Sequence, residues 1–176
     1  MDYAKKAIEL GADRAARFGI GDVAFDERVV LKCVFGCASY GMMHTCPNQK
    51  SPLSMQDYER ILKRYEWGII IGCADKKTSQ EVSFEIERAC FYDGYYFAFS
   101  LSDCGLCETG GTGSNDASCG CALALCKPCR NPVKARPAFH SVGVDVFKTV
   151  RRLGMPIGVL KDEFERQNWY SAVFVE

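Results

Sequence analysis

The sequence predicts an α/β or α+β fold: a small mixed sheet with flanking helices and two cysteine-rich metal-binding loops. Three observations predict it. Helical and strand-like patterns are interspersed along the chain rather than segregated. The run Trp67–Cys73 (WGIIIGC) has the length and composition of a strand buried on both faces. Cysteines gather in two stretches marked by glycine and proline, at about 33–52 and 103–136. At 176 residues the chain suits one domain spanning 1–176, large enough to bury a core without covalent staples.

Taken in order, residues 3–18 place Ala4, Ala7, Ile8, Ala12, Ala15 and Ala16 at helical spacing with charges between them, predicting an amphipathic helix. Residues 23–33, with the β-branched pair Val29 and Val30, predict a strand leading into the first cysteines. Glycines, prolines and short polar residues over 35–52 predict an irregular loop. Ser54, with Asp57 three residues on, forms an acidic variant of the capping box and opens a helix to about Tyr65. The longest helix is expected over 79–99, where Val82, Ile86, Ala89, Cys90 and Asp93 recur at three- and four-residue steps, although Gly94 weakens its second half. The second loop follows, and its stretch 110–116 has the composition of an exposed linker. Residues 142–153 predict a helix closed by Gly154, and 155–160 and 169–175 predict strands.

Lys plus Arg equals Asp plus Glu at 22 each, so nothing in the charge balance argues for nucleic acid or an anionic membrane as a partner. The first residues lack the apolar core of a secretory signal, and no apolar run is long enough to span a bilayer. The cytoplasm is the expected compartment, and there thiols stay reduced. Eleven cysteines, an odd number, then point to metal rather than to a disulfide set.

The first group is Cys33-x3-Cys37-x8-Cys46-Pro47, three thiols within fourteen residues on a loop that Gly36 and Gly41 allow to wrap tightly. The second holds Cys104-x2-Cys107, then Cys119, Cys121 and Cys126-x2-Cys129. Two Cys-x2-Cys pairs suit a zinc ribbon, and the surplus of thiols equally suits a [4Fe–4S] cluster. Iron–sulfur is favoured because the first group is no ribbon and because histidine occurs only at positions 44 and 140. His44 is either a fourth ligand of the first site or a surface residue. With three cysteines alone, one iron of that site keeps an open position. Cys73 and Cys90, inside a strand and a helix, are expected to be core packing.

Four stretches resemble a known family. They are Cys33-x3-Cys37-x2-Tyr40-Gly41-x4-Cys46-Pro47, Ala89-x-Phe91-x-Asp93-Gly94-Tyr95-Tyr96-Phe97-Ala98, Pro128-Cys129-Arg130-x-Pro132-x-Lys134-Ala135-Arg136-Pro137, and Gly143-Val144-Asp145-Val146-Phe147. Over about residues 25–176 the chain resembles a family of short cysteine-rich, predicted metal-binding proteins of unknown function, common in anaerobic bacteria and archaea. The resemblance implies metal and an anaerobic setting but no reaction. It carries over Cys33, Cys37, Cys46, Cys104, Cys107 and Cys129. Where members tend to have a further cysteine, this chain has Gly110, and the insertion after it brings Cys119, Cys121 and Cys126. Cys121 and Cys126, nearer to Cys129, are the candidates to complete the second site.

Arg130, Lys134 and Arg136 are read either as cations that raise a cluster's potential or as a solvated basic loop. Tyr92, Tyr95, Tyr96, Phe97 and Phe99 are read as core. Gly110–Gly113 lacks the context of a phosphate loop, and no hydrolase triad or zinc-protease pattern occurs. The expected function is electron transfer by one or two [4Fe–4S] clusters, in concert with a redox partner protein. The alternatives are an enzyme that binds a small substrate at an open iron, and a zinc-stabilised interaction module. Their ligands would come from Cys33, Cys37, Cys46, Cys104, Cys107, Cys121, Cys126 and Cys129.

Overall fold

The computed structural model of the chain describes residues 1–41, 43–47, 53–104, 128–129, 131–162 and 164–176. Its framework is a four-stranded sheet in the order β1-β2-β4-β3, formed by β1 (Arg14–Gly19), β2 (Trp67–Cys73), β3 (Phe99–Leu101) and β4 (Trp169–Phe174). The class is therefore the expected combination of helices and a small sheet. All three pairings are antiparallel, so the sheet is not mixed, and α+β describes it best.

β2 lies at the centre because its side chains are apolar in both directions. Ile69, Ile71 and Cys73 point to one face and Ile70 to the other, as the two-residue period of a strand requires. On the first face, helices α1 (Tyr3–Glu9) and α4 (Lys76–Tyr92) bury Tyr3, Ala7, Val82, Ile86 and Cys90 against the sheet. On the second, α3 (Met55–Leu62), α5 (Val146–Arg152) and the segment between Phe139 and Val144 cover Ile70, Ala172 and Phe174. Gly68 permits the closest contact there: an added Cβ would meet Phe18 Cζ and the Val173 carbonyl oxygen at 2.4 Å. Among the described residues, no helix is long and apolar enough to cross a membrane.

The capping box at Ser54 is present: Asp57 N–H donates to Ser54 Oγ at 3.1 Å, and Ser54 N–H donates to Asp57 at 3.0 Å. Other expectations need correction. The helix over 3–18 stops at Glu9, because Gly11 turns the chain with φ +107° and residues 14–19 then pair with β2. Residues 23–33 are not a strand. Asp26 accepts from Arg28 N–H and caps a 3₁₀ turn, Glu27–Val29, which runs into α2 (Val30–Val34), so Cys33 sits on a helix. The helix over 79–99 begins earlier, capped by Asp75, and ends at Tyr92, which frees 99–101 to pair as β3. Residues 155–160 form no strand, since β2 and β3 already occupy both edges of β4. The helix expected over 142–153 is present only from Val146 to Arg152, capped by Asp145 and followed by Gly154.

The early end of α4 also corrects the aromatic reading. Helical spacing does not continue past Tyr92, and Tyr92, Tyr96 and Phe97 are 74%, 69% and 69% exposed. Of the five aromatics, Tyr95 and Phe99 alone pack against the two cores.

Candidate metal centre

Cys33 enters the site from α2, which packs on the 3₁₀ turn Phe139–Val142. The chain then turns tightly: Tyr40 N–H donates to the Cys37 carbonyl at 3.1 Å, and Cys46 N–H to the Met43 carbonyl at 3.1 Å. The Tyr40 hydroxyl donates to the Pro47 carbonyl at 2.9 Å and closes the loop. Cys37 is exposed at its tip, whereas Cys46 is buried, its thiol donating to the Ser39 carbonyl at 3.8 Å.

Cys104 approaches from the opposite direction, three residues after β3. Its stem is fixed by two bonds: Ser102 N–H to the Pro137 carbonyl at 3.0 Å, and Gln80 Nε2 to the Asp103 carbonyl at 2.6 Å. A buried ion pair holds the return of the second loop nearby. Arg136 Nε donates to Glu87 Oε2 at 2.8 Å, and its Nη2 bonds Oε1, completing a fork. Glu87 Oε2 also accepts from Ser100 N–H at 2.7 Å and from its hydroxyl at 2.5 Å. The guanidinium lies 5.5 and 5.3 Å from the ring centres of Phe84 and Phe99. Arg136 is thus neither a solvated charge nor a free cation beside a cluster, and Lys134 lies over the Phe84 ring.

These supports make Cys104 a neighbour of the first loop. Its Sγ lies 4.0 Å from Ser141 Oγ, and Ser141 also bonds Cys33. Burial, followed by the charges of Cys104, Cys37 and Cys46, pushes the Cys33 thiol up to about 11. Burial raises Cys104 as well; Cys46 adds to the rise, and the hydroxyls of Thr45 and Ser141 oppose it. Cys33 and Cys104 therefore resist becoming anions, in part because other thiols stand close by. A metal cation reverses that balance, since it binds the thiolate and cancels the mutual repulsion. Among the described residues, no group of three Cys, His, Asp or Glu side chains is close enough to hold a metal ion.

The family model described as "Predicted metal-binding protein (DUF2284)" matches residues 16–175. The chain belongs to that family. Comparison with curated proteins and with solved structures gives no match. For this DUF2284 protein the donor chemistry fits the family description: the predicted ligands are sulfurs, which as a class select zinc, copper(I) or iron–sulfur clusters over hard cations.

The remaining predicted ligands divide. Cys129 is half-buried and joins none of the contacts just described. Cys107, Cys119, Cys121, Cys126, Arg130 and the stretch 110–116 lie outside the described residues. His44 is exposed. Cys73 and Cys90 are packing residues as expected, 1% and 0% exposed in the core beneath α1 and α4. Sequence reasoning missed Ser141, Thr45 and the Glu87–Arg136 pair. Nothing in their local sequence marks them, because each acts through a partner distant along the chain.

Proposed function

We propose that this chain is an iron–sulfur protein that transfers electrons, with a first centre on Cys33, Cys37, Cys46 and Cys104. The observation that supports the reading is the contact of Cys104 with the Ser141 hydroxyl, 4.0 Å away, and with Thr45, the residue that precedes Cys46. Cys104 thereby leaves the second group. Cys107, Cys129 and either Cys121 or Cys126 would hold a second cluster. Bound there, a [4Fe–4S] cluster supplies one-electron chemistry at a potential tuned by its hydrogen bonds and exposure. The residues of this chain supply the setting: Ser141 and Thr45 offer hydroxyl donors to the sulfurs, and exposed Cys37 gives a redox partner protein a short path to the cluster. Cytoplasmic residence in an anaerobe suits such a centre.

With Cys104 in the first centre, the three-cysteine position that an open-iron enzyme needs passes to the second. A zinc-stabilised module is the competing reading for the same sulfurs. Anaerobic purification followed by iron and acid-labile sulfide analysis, with EPR of the reduced protein, separates the two. Brown protein with an EPR signal altered by Cys104→Ser supports the proposal. Colourless protein with stoichiometric zinc would sink it.

A further inference from the structure

β3 leaves the sheet at Leu101, where its ladder with β4 ends opposite Ala172. Cys104 lies three residues further on, so the sheet no longer dictates where its thiol stands. Along α4, Gln80, Phe84 and Glu87 recur at four- and three-residue steps and share one face. Val82, Ile86 and Cys90 pack on the sheet from the same helix. Gln80 and Glu87 are polar yet buried, 5% and 9% exposed. Buried polar groups require partners, and these two find them in the chain around Cys104 rather than within their own helix.

Gln80 Nε2 donates to the carbonyl of Asp103, the residue before Cys104, at 2.6 Å. Glu87 Oε2 accepts from the Ser100 N–H and hydroxyl at 2.7 and 2.5 Å, and the Arg136 fork occupies the same carboxylate. Between these anchors, Ser102 N–H donates to the Pro137 carbonyl at 3.0 Å. Pro137 leads through Ala138 into the turn Phe139–Val142, which carries Ser141. One helix face thus holds both segments that meet where Cys104 Sγ lies 4.0 Å from Ser141 Oγ. Apolar side chains at positions 80 and 87 would fill the same space. Hydrogen bonds are directional, and so they also fix where the chain stops along it.

We infer that Gln80 and Glu87 are positioning residues for the proposed metal centre: from one face of α4 they hold the Cys104 thiol against Ser141. The consequence for metal rests on the reading of Cys104 as a ligand; the placement of the thiol does not. A thiol already in place loses less freedom when it binds, so the centre keeps its metal longer. Zinc and iron gain alike, because the two residues act on the ligand and not on the ion.

The test compares Gln80→Leu, Glu87→Gln and Ile86→Ala with the parent, as full-length protein prepared anaerobically, at a temperature where circular dichroism shows them folded. Metal release into excess EDTA is followed, and thiols that react with iodoacetamide are mapped by peptide mass spectrometry. Release should be about threefold faster in Gln80→Leu and about tenfold faster in Glu87→Gln, which loses charge-assisted bonds. Cys104 should be alkylated faster by similar factors, while Cys73 and Cys90, buried in the core, stay unmodified. Ile86→Ala weakens the same helix from its sheet face and should leave both rates at the parent's. Parental rates in Gln80→Leu and Glu87→Gln, equal reaction of Cys73 and Cys90, or the same acceleration in Ile86→Ala overturns the inference. If Glu87→Gln does not fold, Gln80→Leu decides alone. Cys104→Ser is measured alongside: unchanged metal content there refutes Cys104 as a ligand, and the alkylation of Cys104 in the other variants still decides its placement.

Discussion

Replacing Arg136 by Ala should be among the most damaging single changes outside the hydrophobic core. The pair is well enclosed, with side-chain exposures of 13% for Arg136 and 11% for Glu87. Without the guanidinium, Glu87 keeps its two bonds from Ser100 but loses both charge-assisted ones, and Oε1 loses its Arg136 donor. Removing one partner of a buried pair costs about 3–5 kcal/mol, because a charge is left uncompensated. In a chain of this size that corresponds to a fall in Tm of about 10 °C. Thermal and urea unfolding under anaerobic conditions would measure it, in a cycle of Glu87→Gln, Arg136→Met and the double variant. The double variant should be less destabilised than the sum of the singles, since neither charge is then stranded. Single-variant losses below about 1 kcal/mol, with no coupling, would refute the assignment and class the pair with surface ion pairs.

Further outcomes follow from other parts of the structure. Ser54→Ala removes the cap of α3 and should cost about 1 kcal/mol in urea unfolding. The same change should raise the Asp57 carboxyl, which the Ser54 hydroxyl first and Arg60 next hold at about 2. Because that value is depressed in the folded state, its stabilisation is complete above the ordinary 3.8 and lost as pH falls towards 2. NMR titration of Asp57 in both proteins checks the sign. Cys46→Ser and Cys104→Ser should each lower the iron content, whereas Cys90→Ala should leave it unchanged and cost about 1–2 kcal/mol of stability through a small cavity. Gly68→Ala should destabilise by about 1–3 kcal/mol or more, since its methyl meets Phe18 and the Val173 carbonyl at 2.4 Å.

Legibility in the sequence followed the range of the interactions involved. β2 and β4 were readable because burial on both sides leaves a continuous apolar run, and α3 because its cap is local. β1 was not, because alanines at positions 15 and 16 suit a helix, and only pairing with Ile70 and Ile71 makes them strand residues. The strand expected at 23–33 failed for the reverse reason: Val29 and Val30 favour extension, and the Asp26 cap overrode them. In the site, the types of ligand were visible as clustered cysteines. Their grouping was not, since spacing says nothing of the contacts that Cys104 makes with Ser141 and Thr45, both distant along the chain.

The stem of the second loop has a consequence for how its cysteines can vary. The Ser102–Pro137 bond and the Glu87–Arg136 fork fix the chain on either side of the 34 residues 103–136. Once the ends are fixed, closure entropy changes slowly with contour length, by only about 0.6 kcal/mol for each doubling. Residues can be added or removed between ends held in this way with little thermodynamic penalty to the sheet. The spacing of Cys107 and Cys129 in the sequence is therefore weakly constrained by the stability of the sheet. A stretch as rich in cysteine as this one, with Cys119, Cys121 and Cys126 between Cys107 and Cys129, is the kind of sequence this tolerance permits.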